Sequence, residues 1–279
     1  MNFSKYIRMD AVNTLINSTP SKKVREDYPT YLSLMITEKG SHLKLLGSST
    51  KTKKEVDGRE VLLSVLYLAA YTLAGYGINM CPMAASCAAE CLRDSGRMPF
   101  HHENRIRKTR AFIAHPVEFL DQLIRDIYIK AQQAMIKDKL LFVRLDGTSD
   151  NRWERYLDLD AIVRDFTGLG GFYDYTKFPL KARKPTDHYH LTFSVDEKNV
   201  ALVRAKEYIE AGYPIAVVAE KQDYKELVKR EDVTDGDESD HRWYDTGVVV
   251  LKAKRLFNLK YEEAGKGLVR TMKQILELL

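Results

Sequence analysis

Apolar residues fall in blocks along this chain, and the blocks switch between two periods. Residues 61–70 form a near-continuous apolar run of the length and branching of a buried strand. Residues 140–145, 170–176, 188–194, 213–219 and 247–254 predict further strands. Between them the period turns helical. Residues 102–114 predict a helix carrying Arg105, Arg107, Lys108 and Arg110. Pro116 opens the next, with Phe119, Leu120, Leu123, Ile124, Ile127 and Ile129 at helical spacing. Residues 153–166, 195–211 (stopped by Gly212) and 261–279 predict three more. Strands separated by helices predict an α/β fold with a parallel sheet. With six or so strands and no polar linker to divide them, residues 56–279 predict one domain, a whole or partial (β/α) barrel. An open doubly wound sheet is the alternative. Residues 1–55 predict an irregular N-terminal extension of the same domain, in which 31–36 reads as a strand or a short helix. The polar, basic stretch 48–54 reads as a surface loop.

Composition changes this picture little. The chain has 279 residues, 44% hydrophobic and 30% charged, as in an ordinary globular protein. No apolar run reaches membrane-spanning length, and the first ten residues lack the apolar core of a signal peptide. Three cysteines, an odd number, with no export signal predict a reducing, cytoplasmic setting. A net charge of +5 permits a nucleic-acid or nucleotide partner without requiring one. Oligomeric state is not readable.

The cysteines change it most. Cys81, Cys87 and Cys91 stand in a C-x5-C-x3-C pattern after the first long strand. Scattered, they would read as small buried apolar residues; clustered, they read as ligands of one metal or cluster. Structural zinc takes four ligands, so three leave a position open. A [4Fe-4S] cluster held by three thiolates would likewise keep one iron free.

Polar residues gather where the predicted strands end. Asp146, Thr148, Ser149 and Asp150 follow the 140–145 strand. Tyr173, Asp174, Tyr175 and Lys177 close the next, Thr192 and Ser194 the one after, Glu220 the fourth, and Lys252 and Lys254 the last. In a parallel barrel that rim is where active sites lie. Asp146, Asp150, Tyr173, Asp174, Tyr175 and Lys177 are the catalytic candidates, with Tyr173, Tyr175 and Lys177 placed for proton or hydrogen transfer. Thr148, Ser149, Thr192, Ser194, Asp235, Asp237, Asp240 and Lys252 are the candidates for binding substrate or cofactor. Arg144 and Lys252 lie inside apolar strands and need partners; Lys252 is expected beside Asp146 or Asp174. The dense stretch 231–245 offers Asp235 and Asp237 for a hard cation or a ribose, without the spacing of an EF-hand loop.

The blocks at residues 67–70, 79–84, 87–92, 144–150, 173–177, 190–194 and 235–240 resemble, in order, those of a bacteriophage family called gene-product-88-like. Its layout of a three-cysteine loop followed by alternating strands is similar to radical SAM enzymes. That similarity implies a partial (β/α) barrel, a [4Fe-4S] cluster on Cys81, Cys87 and Cys91, and S-adenosylmethionine on the open iron. The chain departs from that pattern in its cysteine spacing, in Glu90 before the third cysteine, and in lacking a Gly-Gly-Glu after an early strand. The expected function is an iron–sulfur enzyme of phage origin, modifying a nucleotide, a nucleic acid or a related small molecule in the host cytoplasm. One rival is a zinc-stabilised nucleic-acid-binding protein, with His101 or His102 as fourth ligand and Arg105, Arg107, Lys108 and Arg110 on phosphates. Another is a metal-dependent nuclease using Asp146, Asp150, Asp235 and Asp237.

Overall fold

A computed structural model describes residues 2–37, 40–48, 55–56, 58–84, 86–88, 91, 98–196, 199–253 and 269–279. The basic loop at 49–54, Glu90, Lys254 and the start of the expected closing helix at 261–268 lie outside the described residues.

Residues expected to be irregular begin with three short helices, α1 (Met9–Ile16), α2 (Thr19–Asp27) and α3 (Tyr31–Met35). Two of them start on side-chain caps: Ser18 accepts from the Ser21 N–H, and Thr30 from the Ser33 N–H. Val12, Val24, Leu34 and Met35 are buried in the main core, so this segment packs into the domain.

Then come β1 (Leu46–Ser48), β2 (Glu55–Val56) and β3 (Arg59–Leu66), followed by α4 (His102–Ala114) and α5 (Pro116–Ile136). The rest is β4 (Lys139–Arg144), α6 (Leu159–Asp165), β5 (Leu169–Thr176), β6 (Tyr189–Ser194), α7 (Asn199–Glu210), β7 (Ile215–Ala219), α8 (Lys221–Leu227), β8 (Val233–Asp235), β9 (Val248–Lys252), β10 (Val269–Arg270) and α9 (Met272–Leu276). The helix expected over 153–166 is divided. Leu157 bridges to Ile7, and the Asp158 N–H donates to the Tyr6 carbonyl, so the chain is extended there. The Asp158 side chain then caps a new helix by accepting from Ala161.

The sheet is mixed but mostly parallel, in the order β1-β3-β4-β5-β6-β7-β9-β8. From β3 to β7 the neighbours are consecutive along the chain and parallel. Such an order has no reversal, and same-handed crossovers put the connecting helices on one face. Described strands β1 and β8 end the path and do not pair, so the sheet is open rather than a closed barrel.

The two faces are filled differently. The helix side buries Leu141, Val143, Phe172, Leu191, Phe193, Val217 and Val250 with the apolar stripe of α5. The other side holds a smaller cluster, Val61, Leu63, Leu140, Phe142 and Tyr173, against which Trp243 packs. Trp243 belongs to a strap, residues 236–245, laid across β4 and β5. Gly171 makes the strap's approach possible, since a Cβ there would come within 2.3 Å of the indole.

Candidate functional site

The turn after β4 is stitched to the cysteine loop. The Gly147 N–H donates to the Leu66 carbonyl at 2.9 Å, the Thr148 hydroxyl to the Leu68 carbonyl at 2.5 Å, and the Asp150 N–H to the Met80 carbonyl at 2.9 Å. The Asn79 side chain accepts from the Cys81 N–H, and the Cys81 sulfur accepts from the Tyr71 N–H at 3.3 Å. The same sulfur lies 3.9 Å from the Thr148 carbonyl oxygen.

This places the three thiols at the C-terminal ends of β4, β5 and β6. Burial pushes the Cys81 thiol up, and negative charge at Asp150, Cys91 and Asp146 adds to the effect. Burial likewise raises Cys87, where Lys177 opposes and Cys91, Asp150 and Asp196 reinforce. Cys91 therefore acts on both of the others. Among the described residues, however, no three of the His, Cys, Asp and Glu side chains stand close enough to hold one metal ion.

Beneath the loop lies a buried carboxylate network. Asp146 accepts from the Ser149 hydroxyl at 2.6 Å and from the Asn151 backbone and side-chain amides at 2.9 and 3.0 Å. Asp174 accepts from the Asp146 N–H at 2.6 Å and from the Tyr189 hydroxyl at 2.9 Å. Asp150 accepts from the Thr176 hydroxyl and the Lys177 N–H. Arg183 spans the base of the network: it donates twice to Glu154, at 2.9 and 3.2 Å, and once to Tyr189, and lies 3.5 Å from Asp150. Burial and the neighbouring Asp150 raise Asp146 to about 6, against the pull of its three donors and Arg183. Burial and Asp146 push Asp174 well above the carboxylate range. Both carboxyls are therefore harder to ionise than free ones.

Asp146 has an ordinary value of 3.8 and titrates at about 6 when folded, so the folded state holds the extra proton. Its contribution to stability is complete below about pH 4 and lost as pH rises through about 6. Two units correspond to about 3 kcal/mol. Urea unfolding from pH 4 to 7 is expected to show a steeper loss in the wild type than in Asp146→Asn; equal slopes would exclude this carboxyl as the source.

A cavity of about 190 Å³ opens beside this network. Pro82, Met83 and Ala84 of the cysteine loop form one wall, and Lys177, Asp196 and Arg204 bring charge to the others. Lys177 donates to the backbone and side-chain oxygens of Ser194 and lies 3.8 Å from Asp196. Arg204 donates to the Lys177 carbonyl at 3.2 Å.

The expected residues thus divide into three groups. Cys81, Cys87, Cys91, Asp146, Thr148, Ser149, Asp150, Asp174, Lys177 and Ser194 share this end of the sheet. Tyr173, Tyr175 and Thr192 alternate with Asp174 and Thr176 along their strands and point to the opposite, strap-covered face, where Arg242 donates to the Tyr175 hydroxyl. Asp235 and Asp237 belong to the far edge. Asp235 accepts from the Tyr224 hydroxyl and the Asp237 N–H, and Asp237 accepts from the Lys252 N–H. Strands β5, β6 and β7 separate Lys252 on β9 from Asp146, so the expected pairing of its ammonium with Asp146 or Asp174 is not formed. The four carboxylates of the nuclease reading are likewise divided between β4 and β8.

The basic helix α4 is also used differently from the expectation. Arg107 donates to the carbonyls of Ser33, Leu34 and Ile36, closing the end of α3. Lys108 donates to Leu45, and Arg110 donates to Ala74 and Tyr28 and lies over the Tyr76 ring. Arg105 is buried. Arg107, Lys108 and Arg110 thus fasten the N-terminal helices and the loop after β3. Among the described residues no helix is long and apolar enough to cross a membrane.

Glu154, Arg183, Tyr189, Asp196 and Arg204 complete the site without having stood out in the sequence. Asp196 follows β6 as Asp146 follows β4, a signal that was available. Arg183 lies in a run of ordinary surface composition, and nothing local marks it as buried.

The family described as Gene product 88 matches residues 39–270, and the chain belongs to that family. No curated protein and no solved structure matches it.

Proposed function

We propose that this chain is an iron–sulfur enzyme on a partial (β/α) barrel, with Cys81, Cys87 and Cys91 holding a [4Fe-4S] cluster beside a small-molecule cavity. The observation that carries the reading is the cavity itself, walled by the cysteine loop on one side and by Lys177, Asp196 and Arg204 on the other. Two features of the donor set fit a cluster. The thiols are gathered but not focused on one point, as a single zinc with bonds of about 2.3 Å would require. A cluster instead gives each thiolate its own iron. The N–H donated to the Cys81 sulfur favours the thiolate, which burial alone disfavours.

Bound there, the group would supply one open iron for a small ligand, S-adenosylmethionine in the radical-SAM-like form of the reading. The chain's own residues do the rest. Lys177 and Arg204 offer positive charge to an anionic substrate such as a nucleotide, and Asp196 offers an acceptor. Asp146 and Asp174 keep a proton near neutral pH within the same end of the sheet. The setting that fits a phage gene product with thiolate chemistry is the reducing cytoplasm of the host.

Anaerobic purification followed by iron, zinc and sulfide analysis tests this. Brown protein with about four irons and matching acid-labile sulfide per chain is expected. Stoichiometric zinc without sulfide would overturn the reading in favour of a structural metal.

A further inference from the structure

A second group of polar side chains lies on the opposite face of the same strands. Arg144, the last residue of β4, is half-buried on the strap side of the sheet. Its ε N–H donates to the Asp146 carbonyl at 3.1 Å, and its guanidinium lies 4.6 Å from the centre of the Tyr175 ring. It forms no ion pair among the described residues, and its two terminal nitrogens have no acceptor there. Register puts Tyr173 directly beside it, Cα partner to Cα partner. The Tyr173 phenol is completely buried and has no hydrogen-bond partner among the described residues. One row further along, Tyr175 is the Cα partner of Thr192, whose buried hydroxyl is also unpartnered.

Leaving the two buried hydroxyls unsatisfied is costly. Here a fork of donors and two hydroxyls, on neighbouring strands and one face, all lack what a single anion would supply. The surroundings carry the matching charge. The Arg144 charge acts on the phenols of Tyr67, Tyr173 and Tyr175. Arg105 also acts on Tyr67, while Asp240 of the strap is the opposing carboxylate at Tyr67 and Tyr173.

We propose that Arg144 and the Tyr173 hydroxyl form a phosphate-binding site beneath the strap, for a phosphate that is free or carried by a nucleotide. A guanidinium fork binds two phosphate oxygens at once. The phenol offers a further donor for the third oxygen, which a carboxylate lacks. The Tyr175 ring lies against the fork, and aromatic faces such as this are where a nucleotide base can stack. The site lies on the opposite face of β4 and β5 from the helix-side core, and its test needs no cluster to be bound.

Calorimetric titration of the purified full chain with inorganic phosphate and with adenosine monophosphate tests it. Saturable binding of at least one is expected. Nucleotide binding tenfold or more tighter than phosphate would identify a carried phosphate, and equal binding a free one. Arg144→Lys keeps the charge but loses the fork, and is expected to weaken binding at least tenfold. Tyr173→Phe removes only an unpartnered hydroxyl. It is expected to weaken binding several-fold while leaving the melting temperature equal or higher, because a hydroxyl that served packing alone would not affect affinity. No saturable binding of either probe to the wild type, or wild-type affinity in both variants, would overturn the proposal.

Discussion

Arg183→Met is expected to cost roughly 3–5 kcal/mol of stability, the loss typical when one member of a buried ion pair is removed. Arg183 is 4% exposed, and its guanidinium is shared among Glu154, Tyr189 and Asp150. Burial alone would weaken its charge, but Tyr189, Glu154 and Asp150 outweigh that and hold it protonated. Methionine fills much of the volume and leaves the Glu154 carboxylate, itself 7% exposed, without its counter-charge. The loss should lower the melting temperature by roughly 10 °C. Adding Glu154→Leu should recover part of it, since replacing both partners by apolar groups removes the stranded charge. Thermal unfolding of the two single variants and the double variant measures this. Additive losses with no recovery would show that the pair contributes by packing and not by charge.

The same network explains what was legible in the sequence and what was not. Strand-length apolar runs gave away β3 to β7 and β9 because both faces of those strands are buried, so their pattern needs no partner to be recognised. Residues 153–166 misled because Trp153 and Leu157, and then Leu159, Ile162 and Phe166, have helical spacing within each set. The extended break between them comes from pairing with Ile7, some 150 residues earlier, and local spacing carries no trace of it. The basic residues of α4 carry a related ambiguity: a surface cation and one that caps distant carbonyls have the same letter. Rim residues were recognisable as a set, because polar residues ending apolar strands must face loops. Their division between faces was set by alternation. Asp174 turns to the helix side and Tyr173 and Tyr175 to the strap side, so one tripeptide presents side chains to both faces. The partners that complete the network, Arg183 and Glu154, were illegible because burial of a charge depends on where the opposite charge is brought by the fold.

The largest expected effect is at the cysteines. Replacing Cys81, Cys87 or Cys91 by alanine, one at a time, is expected to lower bound iron and sulfide by an order of magnitude or more in anaerobically purified protein, and to remove the visible absorbance with them. Two thiolates leave two irons of a four-iron cluster without a protein ligand, and cysteine ligation is what holds such clusters. The structural cost should be small by comparison. All three cysteines are only partly buried, and alanine keeps the backbone and the Cβ in place. Far-ultraviolet circular dichroism should therefore match the wild type while the iron is gone. Lys177→Met serves as the control: it alters the cavity wall next to Cys87 but removes no thiolate, so its iron content should stay close to wild type. Cys81 is the most informative position. Its sulfur accepts the Tyr71 N–H and lies against the Thr148 carbonyl, so it joins the cysteine loop to the turn after β4. If Cys81→Ala kept full iron and sulfide while Cys87→Ala and Cys91→Ala lost them, the cluster would not involve the thiol nearest Asp146 and Asp150. The cavity beside Lys177 and Arg204 would then have to work without the carboxylate network.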